Sequence, residues 1–164
     1  MNITESFKLE LNNIIGKEIW GVVGGRGTGS VISLSIGDKF KTDQPSINPN
    51  LTELVKNYDS EYGLMVFSPW RIESNKKVFC GSHNNNDESG PYNYAFGKIL
   101  NTTIIQATVS VPSYDLVLSL SNGNSLKVFC ALIGMDDNEC YALKSPQGWF
   151  SVLYDGVIEF DSGD

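Results

Sequence analysis

Apolar residues fall in short runs along most of the chain, and turn residues separate these runs. Ten runs have the length and the β-branched or aromatic content of strands. They cover residues 19–23, 30–36, 63–67, 77–81, 103–111, 115–120, 126–133, 140–143, 149–154 and 157–160. Adjacent antiparallel strands need only a tight connection, so many short strands with brief turns between them indicate antiparallel pairing. The pattern therefore predicts a fold built mainly from antiparallel β-sheet.

The first segment of the chain follows helical spacing instead. A helix over residues 4–15 would place four apolar side chains on one stripe, namely Phe7, Leu11, Ile14 and Ile15. Thr4 is a candidate N-cap for this helix, and Gly16 is a candidate stop. Residues 7–11 also alternate as a strand would, which leaves a strand as the alternative. We expect a helix at the N-terminus.

Two polar segments, residues 41–49 and 82–91, predict exposed loops, and a short helix is predicted at residues 51–58. These elements together predict an α+β fold, mainly antiparallel β-sheet with an N-terminal helix and one or two short helices. The chain has 164 residues, of which 41% are hydrophobic, so it can bury one sizeable core. We therefore expect a single domain that spans residues 1–164.

The segment from Ser121 to Asn124 contains Asn-Gly between two apolar runs, which predicts a β-hairpin. A two-residue Asn-Gly loop would place leucines opposite polar residues. A three-residue loop over residues 122–124 would instead build one continuous apolar face. Its pairs would be Leu120 with Leu126, Leu118 with Val128, and Leu116 with Cys130. We expect the three-residue loop, with a glycine or asparagine in the left-handed conformation.

Nineteen acidic side chains outnumber twelve basic ones, and the excess lies near the C-terminus. Residues 134–164 contain seven acids and one base, so they carry six of the seven net negative charges. This balance argues against nucleic-acid binding, because affinity for phosphates needs clustered cations. A concentrated negative patch steers a basic protein partner instead, and a role in solubility alone is the alternative. The candidate partner-binding residues are Asp136, Asp137, Glu139, Asp155, Glu159 and Asp161.

Two segments could carry small-molecule chemistry. The loop from Gly24 to Ser30 is glycine-rich, but a phosphate-binding loop needs a lysine and a helix after its last glycine, whereas an alternating strand follows here. His83 is the only histidine, and it lies beside Ser82 in a polar loop. A small hydrolase or nucleotide-binding enzyme that uses one of these segments is the alternative interpretation.

Neither a metal nor a cofactor is expected. The acidic pairs at residues 87–88 and 136–137 lack the glycine-anchored spacing of a calcium loop. Cys80, Cys130 and Cys140 lie in or beside apolar runs without a close Cys-x-x-Cys pair, so we expect buried, reduced thiols. Charged residues interrupt the N-terminal apolar positions, and no window approaches the roughly 20 apolar residues of a membrane helix. We therefore expect a soluble, cytoplasmic protein that binds no membrane.

Several fragments, read in order, resemble immunity proteins of bacterial toxin systems, including those of contact-dependent growth inhibition. The fragments are Ile-Gly-Lys-Glu-Ile at residues 15–19, Gly-Thr-Gly-Ser-Val-Ile-Ser-Leu at 27–34, Pro-Trp-Arg-Ile-Glu at 69–73, Cys-Gly-Ser at 80–82, and Tyr-Asp-Leu-Val-Leu-Ser-Leu-Ser-Asn-Gly at 114–123. The resemblance implies a strand for the Trp-Arg-Ile-Glu segment. It also implies a small cytosolic protein that neutralises a toxin by binding it, without an enzymatic activity of its own.

The acidic C-terminal patch suits a basic target such as a nuclease toxin domain. Tight inhibition also needs a desolvated apolar or aromatic anchor inside the charged rim, because charge chiefly raises the association rate. Trp149, Phe150 or Tyr154 could supply that anchor, although core positions are the alternative for each of them.

Overall fold

The computed structural model describes residues 1–25, 27–131 and 139–164, and within these ranges it contains three helices and eleven strands. The helices are α1 (Ile3–Asn13), α2 (Glu53–Asn57) and α3 (Pro91–Gly97). The strands are β1 (Glu18–Val23), β2 (Ile32–Lys41), β3 (Tyr58–Val66), β4 (Trp70–Glu73), β5 (Val78–Gly81), β6 (Thr102–Ser110), β7 (Asp115–Leu120), β8 (Ser125–Val128), β9 (Glu139–Ser145), β10 (Gly148–Leu153) and β11 (Ile158–Asp161). The expected fold class, a mainly antiparallel sheet with an N-terminal helix and short helices, is confirmed.

All strands form one antiparallel sheet in the order β11-β10-β9-β3-β2-β1-β6-β7-β8-β4-β5. The sheet curves back on itself, because the Tyr141 hydroxyl on β9 donates a hydrogen bond at 2.9 Å to the carbonyl oxygen of Tyr114, just before β7. Four other strands separate β9 from β7 in the sheet order. The buried apolar side chains form one cluster with members from both ends of the sheet, so the curved sheet encloses its own core.

Helix α1 packs its apolar stripe into this curve. The ring of Phe7 lies 6.2 Å from the ring of Tyr114, 6.4 Å from Tyr141 and 6.1 Å from Phe150, measured between centroids. The predicted helix is confirmed, but its predicted cap at Thr4 is wrong. Asn2 accepts a hydrogen bond from the Glu5 backbone, and the Glu5 carboxylate accepts one from the Asn2 backbone, so a capping box starts the helix earlier.

The ten predicted strands all exist, with shifts of a few residues at their ends. Strand β2 continues to Lys41, and β3 begins at Tyr58, so α2 is shorter than the helix predicted at residues 51–58. Strand β8 ends at Val128, whereas the prediction extended to residue 133, and residues 132 and 133 lie outside the described ranges. The apolar pattern did not predict strand β4. Its bounds are those of the Trp-Arg-Ile-Glu strand that the family resemblance implied.

The β7–β8 hairpin has the predicted loop length but a different register. Its three loop residues are numbers 121–123, because the Gly123 amide donates to the Leu120 carbonyl at 3.0 Å and the Leu120 amide donates to the Asn124 carbonyl at 2.9 Å. Leu118 therefore pairs with Leu126, and the predicted pairing of Leu120 with Leu126 is wrong. Gly123 takes the left-handed position (φ +85°), which closes the loop one residue earlier. A shift of two residues leaves each side chain on its original face, so the apolar face is preserved.

Helix α3 follows the polar loop that was predicted at residues 82–91. Pro91 occupies its first turn, where the fixed φ of proline and its missing amide cost nothing. Tyr92, Ala95 and Phe96 on this helix are buried, and Tyr92 and Phe96 pack on Trp70 of β4 with ring centroids at 5.1 and 6.2 Å. The apolar pattern did not predict this helix, because its apolar positions span only two turns.

Candidate functional site

The acidic residues predicted to bind a partner divide into three groups. Asp136 and Asp137 lie outside the described residues. Glu139 begins β9, Glu159 and Asp161 lie on β11, and Asp155 lies in the turn between β10 and β11. The described part of the predicted patch therefore belongs to one three-stranded edge of the sheet, in which β10 is central and β11 is the outermost strand.

Glu139 and Glu159 flank Ser151 on its two sides. Ser151 on β10 is directly opposite Glu159 on β11, and the Ser151 hydroxyl donates a hydrogen bond at 2.5 Å to Oε1 of Glu139. The side chains at Ser151 and Glu159 point away from the core, since Phe150 and Val152 on either side of Ser151 are buried. Three strands therefore present two carboxylates around one hydroxyl on the outer face.

A second row on the same outer face contains an aromatic side chain. Trp149 is directly opposite Asp161 on one side and Lys144 on the other. The Trp149 side chain is 38% exposed, although tryptophan is a residue that proteins usually bury. The Lys144 ammonium donates to the Ser60 carbonyl at 3.1 Å, on the side away from Asp161. The outer-face residues Glu139, Trp149, Ser151, Glu159 and Asp161 are called the acidic hairpin face below.

No ion pair within the described ranges involves a carboxylate of the acidic hairpin face. Asp161 accepts a hydrogen bond from the Gly163 amide at 2.9 Å, and Glu139 accepts one from the Ser151 hydroxyl. Glu159 and Asp161 are exposed on the edge strand. Their negative charge is thus available to a cation from outside the molecule.

The tip of the β10–β11 hairpin carries exposed apolar side chains. Gly156 in this turn lies against the carbonyl of Pro112, in the turn that joins β6 to β7. Exposed Tyr154 and Val157 lie in and beside the turn at Gly156, and exposed Val111 precedes Pro112 in the other turn. Asp155 accepts a hydrogen bond from the Val157 amide at 3.2 Å, so its carboxylate helps to form the turn. Sequence reasoning missed Val111, because its neighbourhood depends on the contact between two distant turns.

The three candidate anchor residues differ in exposure. Phe150 is a core residue, 1% exposed, packed against Phe7 and Phe160. Trp149 and Tyr154 are partly exposed, and only Trp149 stands beside the edge acids in the strand register. The alternation of β10 explains the difference, because residue 149 faces outward whenever residue 150 faces the core.

Hydrogen bonds join the two segments that were considered for enzymatic chemistry. The Asn86 side-chain amide donates to the carbonyls of Gly25 at 3.2 Å and Gly29 at 2.8 Å, and the indole of Trp70 donates to the Ser30 carbonyl at 2.6 Å. The loop from Gly24 to Ser30 leads into strand β2, as predicted, and Arg26 lies outside the described residues.

His83 is exposed in the neighbouring loop. Ser82 beside it is buried, and its hydroxyl accepts a hydrogen bond from the Trp70 amide at 3.2 Å, while its carbonyl accepts one from the Tyr92 hydroxyl at 2.8 Å. Asp87 and Glu88 are exposed. The hydrogen bonds of Ser82 therefore connect β4 to α3. Ser82 has a structural role, although it is the sequence neighbour of His83.

The part of the chain that the structure describes contains no group of three or more His, Cys, Asp or Glu side chains arranged to hold a metal ion. Cys80, Cys130 and Cys140 are free thiols; Cys80 and Cys140 are buried, and Cys130 is half-buried. Burial raises the pKa of the Cys80 thiol to about 11, which keeps it protonated and unreactive at neutral pH. The predicted burial thus holds fully for two of the three thiols.

Among residues 1–25, 27–131 and 139–164, no helix combines the length and the apolar character needed to cross a membrane. Comparisons with models of protein families, with curated proteins and with solved structures found no match to this chain. The features of this protein that indicate a function are therefore the acidic hairpin face and the sequence motifs.

Proposed function

We propose that this protein is an immunity protein, which binds a cognate bacterial toxin with a basic surface and neutralises it by stoichiometric contact. The observation that carries the proposal is the acidic hairpin face. It places Trp149 beside two edge carboxylates, Glu159 and Asp161, that have no basic partner among the described residues. The resemblance of the sequence motifs to immunity proteins supports the same function.

The arrangement supplies the two things that a tight inhibitor needs. Unpaired carboxylates on an outer face attract a basic partner and raise its association rate. An exposed indole provides a large, rigid apolar surface, and residues of this type account for much of the binding energy in protein interfaces. A basic nuclease-type toxin domain fits this chemistry, since its own substrate is a polyanion.

The proposal includes no catalytic step. The segments that could carry one, around Gly24 and around His83, are joined through Asn86 and Trp70 in hydrogen bonds that stabilise the fold. This use of their polar groups supports a structural role for both. No cofactor and no metal take part in the proposed function.

Co-expression with the toxin domain encoded beside its gene tests the proposal. The tagged protein should protect growth, and it should retain the toxin in one-to-one complex during purification. The double variant Glu159→Lys with Asp161→Lys should lose protection and bind at least tenfold more weakly, because two attractive charges become repulsive.

A matched control carries Asp43→Lys with Glu88→Lys, two exposed loop residues whose reversal changes the net charge equally. This control should protect growth as the parent does. Equal weakening in both variants would mean that net charge alone, and not the acidic hairpin face, attracts the toxin. Absence of any retained toxin at low salt would overturn the proposed function.

A further inference from the structure

Strand β11 is the outermost strand of the sheet. Within residues 1–25, 27–131 and 139–164 its one partner strand is β10, so its other edge has no partner strand there. The Leu153 amide donates to the Val157 carbonyl at 2.8 Å, so the polar groups of Val157 face β10. Backbone groups alternate between the two edges of an antiparallel strand, which directs the amides and carbonyls of Ile158 and Phe160 outward. None of these groups has a backbone partner among the described residues.

The side chains of this edge alternate between acid and aromatic. Glu159 and Asp161 lie on the outer face, and Phe160, a residue that is 39% exposed, lies between them on the inner face. Phe160 also lines an open cavity of about 200 Å³. Its walls are Met1, Ile3, Ser6, Gln147, Phe150 and Phe160. The cavity has room for an apolar side chain that arrives along the edge.

We propose that an extended segment of the toxin adds to β11 as a twelfth strand, with a basic-apolar-basic order of side chains. This inference rests on the proposed function and specifies the partner surface. The two basic side chains pair across the strands with Glu159 and Asp161, and the apolar side chain between them enters the cavity beside Phe160. Backbone hydrogen bonds to Ile158 and Phe160 supply the register.

The same alternation disfavours a second copy of this chain as the occupant. In a pair of β11 strands related by symmetry, Glu159 and Asp161 of one copy would lie beside acids of the other, and like charges directly opposite each other destabilise a strand pair. Exposed charges are a common device against edge-to-edge pairing of identical strands. With a basic strand as the partner, the acids of β11 face opposite charges, and attraction replaces the repulsion.

A blocked peptide of sequence Lys-Val-Lys-Val-Lys is the direct probe, and Lys-Lys-Lys-Val-Val is its control with the same composition and charge. NMR titration with the first peptide should slow hydrogen exchange at the amides of Ile158 and Phe160, which have no backbone partner among the described residues of the free protein. The control should bind at least several-fold more weakly and protect neither amide. Equal binding of both peptides without protection would mean attraction by charge alone and would overturn the inference.

N-methylation of the peptide separates backbone pairing from side-chain contact. Alternate amides of an added strand face β11, and the others face solvent. Methylation of one alternate set should therefore abolish binding, whereas methylation of the other set should leave it within about twofold of the parent peptide. Loss or retention of binding in both sets would contradict strand addition.

Two variants of Phe160 test strand addition with the whole toxin in place of a peptide. Phe160→Ala removes the ring and keeps the backbone amide, whereas Phe160→Pro also removes the amide that faces the open edge, a place where an edge strand tolerates proline. The proline variant should bind the toxin about tenfold more weakly than the alanine variant, provided that both unfold at the same urea concentration. Equal affinities of the two variants would overturn strand addition but would leave the proposed immunity function intact. The immunity function itself would be overturned by a different result, namely that the parent protein retains no toxin.

Discussion

The carbonyl oxygen of Pro112 occupies the place where a side chain on Gly156 would begin. A Cβ atom at Gly156 would lie 2.2 Å from that oxygen, and the glycine has a left-handed φ of +79°. Two turns far apart in sequence are therefore in direct backbone contact. This contact holds the β10–β11 hairpin, and with it the acidic hairpin face, against the opposite wall of the curved sheet.

Gly156→Ala should lower the free energy of unfolding by about 2–4 kcal/mol, because it combines left-handed strain with a clash against backbone. Gly123→Ala is the matched control. Gly123 occupies the same position of a three-residue hairpin loop (φ +85°), but a Cβ atom there would meet nothing within 4 Å. The control should cost about 1–2 kcal/mol. Urea denaturation of both variants measures the difference, and equal losses would show that the contact with Pro112 contributes nothing.

Trp149→Ala should weaken toxin binding about 30-fold or more, as expected for the loss of a central aromatic anchor. The free energy of unfolding should change little, because the side chain is already partly exposed. Phe40→Ala provides a control, since Phe40 is an exposed aromatic residue on β2, outside the acidic hairpin face. Calorimetric titration of the two variants with the toxin tests the prediction. If both variants bind as the parent does, Trp149 is not an anchor.

Tyr62→Phe should destabilise the fold by about 1–3 kcal/mol at pH 7. The Tyr62 hydroxyl donates to the buried carboxylate of Glu10 at 2.8 Å, and the variant leaves that carboxylate without its best partner. Burial, followed by the Glu10 interaction, raises the pKa of Tyr62 from 10.0 to about 12. The stability that depends on the protonated hydroxyl is therefore complete below pH 10 and is lost as pH rises towards 12.

The stability difference between the parent protein and Tyr62→Phe should accordingly shrink between pH 10 and pH 12. Guanidinium denaturation of both proteins at several pH values in this range measures it. A difference that stays constant up to pH 12 would mean that the hydroxyl does not ionise later in the folded state than in the unfolded chain.

Glu73→Gln should lower the free energy of unfolding by about 1 kcal/mol at pH 7. Burial by itself raises the pKa of the Glu73 carboxyl, but hydrogen bonds from Lys127, at 2.6 Å, and from Arg71 outweigh it and hold the pKa below its usual 4.5. A lowered pKa gives stability that is complete above pH 4.5 and is lost as pH falls through the lower folded value.

The stability of the parent protein should therefore fall more steeply below pH 4.5 than that of Glu73→Gln, and the two curves should converge in acid. Urea denaturation between pH 7 and pH 3 tests this prediction, with Glu88→Gln, an exposed loop variant, as the control. Parallel curves for the parent and the Glu73 variant would show that the ion pairs contribute nothing.

The strands could be predicted from sequence because each depends on a local pattern of alternating or continuous apolar residues. The register of the β7–β8 hairpin could not, because loops over residues 121–123 and 122–124 give the same faces, and the left-handed backbone at Gly123 decides between them. Apolar patterning by itself missed strand β4 and helix α3 for a related reason. Each is too short for its pattern to stand out, and each is stabilised by packing of Trp70 against Tyr92.

Some features of the candidate site were likewise predictable from the sequence, and others were not. Sequence alone determined that negative charge concentrates near the C-terminus, that the sheet is antiparallel, and which residues of β10 and β11 share a face, since these follow from composition and from the two-residue period of a strand. Only the tertiary structure decided that β11 is an edge with outward backbone groups, that Trp149 rather than Phe150 is exposed, and that the turn at Gly156 lies on Pro112. These features depend on how distant strands are ordered in the sheet and on how the sheet curves, and long-range packing sets both.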